Sequence, residues 1–125
     1  MNILVVDDET DVRPLFEQRF RREIRNGEFR FTFAESGEQA LEYLKDLLSE
    51  AVLILSDINM PGMSGLELLR QIKSDYQSPP PPVVMMITAY GDAQSYNQAM
   101  ELGADDFLTK PLDFNELKNK LKTLQ

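Results

Sequence analysis

Short apolar runs alternating with helical patterns constrain this chain more than any other feature. Ile3 to Val6, Phe29 to Phe33, Val52 to Leu55, Val83 to Ile87 and the brief Phe107 to Leu108 read as strands, and a helical pattern follows each. Five strand-then-helix units predict an α/β domain built around a parallel sheet. The first helix places Val12, Leu15, Phe16, Phe20 and Ile24 at three- and four-residue spacing, with Gly27 as a left-handed stop. Ser36 and Gln39 form a capping box for the second, which is expected to bury Ala40, Leu41, Leu44, Leu47 and Leu48. The third carries Leu66, Leu69 and Ile72; the fourth carries Ala93, Tyr96 and Met100 before Gly103; the fifth carries Phe114, Leu117, Leu121 and Leu124.

Strand pattern predicts strand order. Strands one, three and four are continuously apolar, as required when helices cover both faces, so they belong in the middle. Strand two alternates Phe29, Phe31 and Phe33 with Arg30 and Thr32, and strand five is very short, so both read as edges. The expected order is 2-1-3-4-5 in a doubly wound sheet. Winding then reverses between strands one and three, and open α/β sheets bind ligands at the carboxyl ends of strands beside such a switch point.

At 125 residues the chain is expected to form one domain spanning 1–125. No apolar run approaches the ~20 residues of a membrane span, and the N-terminus runs straight into Ile3 to Val6 without a basic leader, so a cytoplasmic location is expected. The absence of cysteine and histidine removes disulfides, thiolate metal sites and the commonest general base. A net charge of −8 opposes polyanions, so direct nucleic-acid binding is not expected. The stretch Arg19 to Arg25 is interrupted by Phe20, Glu23 and Ile24 and reads as the solvated face of a helix rather than a basic patch. Pro79 to Pro82 reads as a stiff loop, with docking to a proline-binding module as the sharper alternative.

Chemistry is expected where strand ends meet. Strand one ends in Asp7, Asp8 and Glu9, and strand three in Asp57. Neighbouring strands lie ~4.8 Å apart, so these carboxylates converge and repel unless a hard divalent cation is bound, and magnesium suits such oxygen ligands. A plain acidic turn at a helix N-terminus is the alternative reading of Asp7 to Glu9. Thr88 ends strand four, and Lys110 with Pro111 follows strand five. Singly these are a capping hydroxyl and a surface charge. Together with a metal they supply a hydroxyl donor and a fixed cation for an incoming phosphoryl group, with the ionised Asp57 as a nucleophile that needs no general base.

Asp7-Asp8, the stretch from Asp57 through Asn59, Gly62 and Gly65 to Leu69, Thr88-Ala89 and Lys110-Pro111 resemble, in order and interval, the CheY-like receiver domains of bacterial response regulators. The resemblance implies a flavodoxin-like (βα)5 fold and a two-component phosphoacceptor that modifies only itself. It implies that Asp57 accepts the phosphoryl group, that Asp8 ligates Mg2+ directly and Asp7 through water, and that Asn59 lends its backbone carbonyl. Lys110 would pair with phosphoryl oxygens, across an expected cis bond to Pro111. Gly62 and Gly65 would serve the turn into the third helix conformationally. Thr88 and Phe107 would form the switch, read out on the face of the fourth helix, fifth strand and fifth helix. Asn59 and Tyr90 would tune dephosphorylation, bulky Tyr90 implying a longer-lived phosphorylated state than an acidic residue gives. Implied partners are a sensor histidine kinase or histidine phosphotransfer protein upstream and an output domain or protein downstream. Two rivals remain: a phosphatase of the haloacid dehalogenase type, which would need an aspartate where Asn59 stands, and a receiver that binds partners without phosphorylation.

Overall fold

Four of the five residues in β1 (Asn2–Val6) are buried, which places this strand between two layers of helix. The computed structural model describes residues 1–47, 52–76, 81–89 and 91–124. With β1, the strands β2 (Arg30–Ala34), β3 (Val52–Asp57), β4 (Val83–Thr88) and β5 (Asp106–Thr109) form one parallel sheet in the order β2-β1-β3-β4-β5, the expected arrangement. β1 pairs on one side with β2, Val6 opposite Ala34, and on the other with β3, Val6 opposite Ser56. The helices are α1 (Val12–Arg19), α2 (Arg21–Arg25), α3 (Gly37–Leu47), α4 (Gly65–Asp75), α5 (Ala93–Glu101) and α6 (Phe114–Thr123).

Alternation along the strands feeds two cores. Leu4, Val6, Ile54, Val84 and Met86 pack with Ala40 and Leu44 of α3, Leu68, Leu69 and Ile72 of α4 and Ala99 of α5. Ile3, Val5, Leu53, Leu55, Met85 and Ile87 pack with Phe16, Phe20 and Phe29 and with Leu117 and Leu121 of α6. Loops enter helices through side-chain caps. Ser36 Oγ accepts from Gln39 N–H at 3.1 Å while Gln39 reaches back to Glu35 N–H at 2.7 Å; Ser64 accepts from Glu67 N–H, and Asp113 from Asn115 and Glu116 N–H.

The structure revises several sequence expectations. The first helical pattern is two helices, broken at Phe20, whose φ of −109° and ψ of 23° lie outside helical geometry. Its ring is fully buried against Phe16, Phe29, Phe31 and Phe114, with centroids 5.2–6.0 Å away. Burying such a ring contributes about 1.5–3 kcal/mol, more than the roughly 1 kcal/mol net of a backbone hydrogen bond, so ring packing prevails over helix continuity. Leu15, Ile24, Met100 and Leu124, expected in the core, are exposed. α5 turns Ala99 inward instead of its neighbour Met100, and Leu124 falls beyond the end of α6. Gly27 does adopt the left-handed conformation, φ 75°. Leu48, Pro79, Pro80 and Tyr90 lie outside the described residues, as does the side chain of Leu47. Among the described residues no helix is long and apolar enough to cross a membrane.

Candidate functional site

Asp57 is the last residue of β3, and Asp7 follows the last residue of β1, so the pairing of Val6 with Ser56 brings both carboxylates to one edge of the sheet. Asp7 N–H donates to Ala34 O at 3.0 Å, continuing the ladder to β2 and fixing where the chain turns away. Carboxylate oxygens of Asp7, Asp8 and Asp57 all lie within 4.8 Å of one another. Asp57 and Asp7 are buried, at 2% and 8% exposure, whereas Asp8 is exposed. Two buried carboxylates beside a third form a hard-oxygen donor set matched to a divalent cation such as Mg2+. That chemistry fits the expected metal better than an acidic turn held only by solvent.

Two of the remaining predicted groups, Lys110 and Asn59, contact Asp57 directly. Lys110 Nζ sits 2.8 Å from Asp57 Oδ2. Its backbone N–H donates to Thr88 O at 2.8 Å, which ties the loop after β5 to the end of β4, and the Lys110–Pro111 bond is cis. Thr88 is 2% exposed at the end of β4. Asn59 is exposed, and its backbone N–H approaches Asp57 Oδ1 at 3.3 Å. Gly62, φ 72°, makes the turn before α4. Tyr90, the other expected tuning residue, lies outside the described residues.

Electrostatics follow from the crowding. Burial pushes the Asp7 carboxyl up, and the neighbouring Asp57 adds to this, while the hydrogen bond from Glu9 N–H and the charge of Lys110 only partly oppose it. Burial alone would lower the Lys110 ammonium; the hydrogen bond and charge of Asp57, with Asp7 and Glu9 beyond, outweigh it and hold Lys110 above its ordinary value. The lysine therefore stands as a cation against the Asp57 carboxylate.

Two contacts were not legible in the sequence. Ser56 Oγ donates to Asp57 O at 3.0 Å, bracing the peptide of Asp57 itself. Phe107 of β5 meets Tyr96 of α5 edge to face, with centroids 4.2 Å apart. The spacing of its helix marks Tyr96 as a core residue; that its partner is the expected switch aromatic depends on how α5 docks against β5, which strand order alone does not give.

Comparison with known proteins gives a consistent result. The family described as the response regulator receiver domain matches residues 3–122. Response regulator RppA of Synechocystis sp. is 34% identical over 125 residues, covering 100% of this chain and 50% of that protein. Transcriptional regulatory protein ResD of Bacillus subtilis is 36% identical over 122 residues, covering 98% of this chain and 47% of that protein. The chain thus spans about half the length of the curated relatives it matches. The crystal structure of the receiver domain of NtrX from Brucella abortus superposes with a TM-score of 0.78 at 32% identity, covering 97% of this chain and 95% of that one.

Proposed function

The chain belongs to the response regulator receiver domain family, and from that membership we propose that it is a phosphoacceptor whose Asp57 takes a phosphoryl group from a phosphohistidine donor, a sensor histidine kinase or histidine phosphotransfer protein. The observation that carries this reading is the meeting of Asp7, Asp8 and Asp57 oxygens within 4.8 Å, with Lys110 Nζ 2.8 Å from Asp57. Asp7, Asp8, Asp57 and the Asn59 carbonyl would hold Mg2+, which when bound offsets negative charge on the carboxylates and on phosphoryl oxygens.

An Asp57 carboxylate oxygen forms the new bond to phosphorus as the donor's phosphorus–nitrogen bond breaks, the electron pair leaving with the imidazole. Lys110 releases its direct contact with Asp57 Oδ2 and pairs with a phosphoryl oxygen, while the Thr88 hydroxyl turns to donate to another. Movement of Thr88 opens space toward β5, into which Phe107 rotates away from Tyr96. The consequence is a population shift between two packings of the face formed by α5, β5 and α6, the fourth helix, fifth strand and fifth helix of the sequence reading. A downstream output domain or protein reads that face. The protein acts in the cytoplasm and processes no substrate beyond its own acyl phosphate, whose lifetime Asn59 and Tyr90 tune.

Intact-mass measurement with acetyl phosphate and Mg2+ tests the reading. Wild type gains one phosphoryl group; Asp57→Ala gains none. Equal modification of the two, or catalytic turnover of added phosphoesters, overturns it.

A further inference from the structure

Residues 19–30 hold five arginines against two glutamates in a chain whose overall charge is −8. The residues that interrupt this basic run in the sequence turn inward: Phe20 is fully buried, and Glu23 is 3% exposed and bound to Lys118 and Lys122 of α6. Arg19, Arg21, Arg22, Arg25 and Arg30 are all exposed, and none of the five pairs with a carboxylate among the described residues. At about 100° of turn per residue, Arg21, Arg22 and Arg25 fall within about 100° of one another on α2, on the side opposite Glu23, with Ile24 flanking them. Ile24 is 38% exposed. The result is a compact cationic face with an apolar residue beside it.

We propose that this face docks an acidic protein segment, a short stretch of Asp and Glu bearing an apolar residue that covers Ile24. Guanidinium groups without a carboxylate partner match carboxylates bidentately, and covering the apolar residue beside them removes further apolar surface from water. The size of the patch selects the partner class. α2 is five residues long, about 7.5 Å, close to the ~8 Å screening length at physiological ionic strength. An extended polyanion such as duplex DNA or an anionic bilayer would overrun the patch and meet the acidic remainder of the chain, whereas a short segment stays within it. Position separates this surface from the phosphoryl chemistry. Arg30 pairs with Asn2 at the amino edge of the sheet, and β1 climbs to Asp7 at ~3.3 Å per residue, roughly 17 Å away. A short segment here does not touch the carboxylates of the site.

The test uses a fluorescent four-residue peptide of Asp, Glu and Leu, its Asn/Gln counterpart, a 12-base-pair duplex DNA and phosphatidylserine vesicles, each titrated with the intact chain at about 0.15 M salt. The acidic peptide binds best, and added salt weakens it. Arg21→Glu/Arg25→Glu loses about tenfold or more in affinity while keeping its unfolding midpoint and Asp57 phosphorylation. Lys45→Glu/Arg70→Glu, with the same change in net charge, loses less than about twofold. Ile24→Ser weakens the peptide with no change in salt slope. Tighter binding to DNA or vesicles, equal binding of the Asn/Gln peptide, equal losses in the two charge-reversal variants, or no binding by wild type each overturns the proposal.

Discussion

Gly65 opens α4 directly beneath Asp57, and its requirement is steric rather than conformational. Sequence reasoning grouped it with Gly62 as a turn glycine. Gly62 does hold a positive φ, but Gly65 does not. A methyl added at Gly65 would overlap the carbonyl oxygen of Asp57 and lie 2.7 Å from Ile58 Cα, both backbone atoms at the end of β3. Its N–H also donates to Ile58 O at 2.8 Å, so the helix and the strand end cannot separate freely. That a glycine belongs to the turn into this helix was legible; that the need comes from close approach of two backbones was not, because it depends on how α4 docks. Gly65→Ala is expected to cost about 1–3 kcal/mol by overpacking, read as a lower urea midpoint, and to slow phosphoryl uptake by displacing Asp57. An alanine variant with unchanged midpoint and rate would show that the strand end yields without cost.

At the scale of elements, periodicity located five helical segments, merging α1 with α2, but did not say which residue of each would turn inward. The least legible case is Glu23. A charged residue within an arginine-rich stretch reads as solvated, yet the break at Phe20 rotates α2 so that Glu23 enters the cleft against α6. There Lys118 Nζ lies 3.1 Å and Lys122 Nζ 4.0 Å from Oε2, while Oε1 is buried with no hydrogen-bond partner. Burial raises the carboxyl, but hydrogen bonding and the charges of Lys118 and Lys122 outweigh it and hold Glu23 below its ordinary value. A depressed carboxyl contributes stability that is fully present above its unfolded value, about 4.3, and is lost as pH falls through its folded value. The lysines are half in solvent, so the electrostatic risk sits with the glutamate. Lys118→Met/Lys122→Met strands that charge and is expected to cost about 3 kcal/mol, most of it recovered by adding Glu23→Leu. Urea unfolding at neutral pH reads both steps. If the third substitution restores nothing, α2 and α6 are held by packing alone.

For the whole molecule, sheet order and site were legible together because one pattern governs both. The continuously apolar strands must lie centrally, and central parallel strands deliver their carboxyl ends to one edge, where this sequence places Asp7, Asp8, Asp57, Thr88 and Lys110. Distances and burial were not legible, and they carry an energetic consequence. Asp7 and Asp57 are both nearly solvent-free, and among the described residues only Lys110 forms an ion pair with the cluster. Because burial raises the Asp7 carboxyl, its contribution is most favourable below its unfolded value of about 3.9 and is lost as pH rises through the folded value. At neutral pH, therefore, this carboxylate cluster opposes folding. Asp7→Asn keeps an oxygen for the Glu9 N–H and removes one charge, so in EDTA it is expected to be more stable than wild type by about 1 kcal/mol. Magnesium reverses the ranking: at about 100 times its dissociation constant it adds about 2.7 kcal/mol to wild type, a rise in Tm on the order of 8 °C, and adds less to the variant. Thermal melts of both proteins with EDTA and with Mg2+ decide the matter. A variant less stable than wild type in EDTA would mean that Asp7 is held by its backbone contacts rather than strained by its neighbours, and an equal magnesium shift in both would remove Asp7 from the metal site.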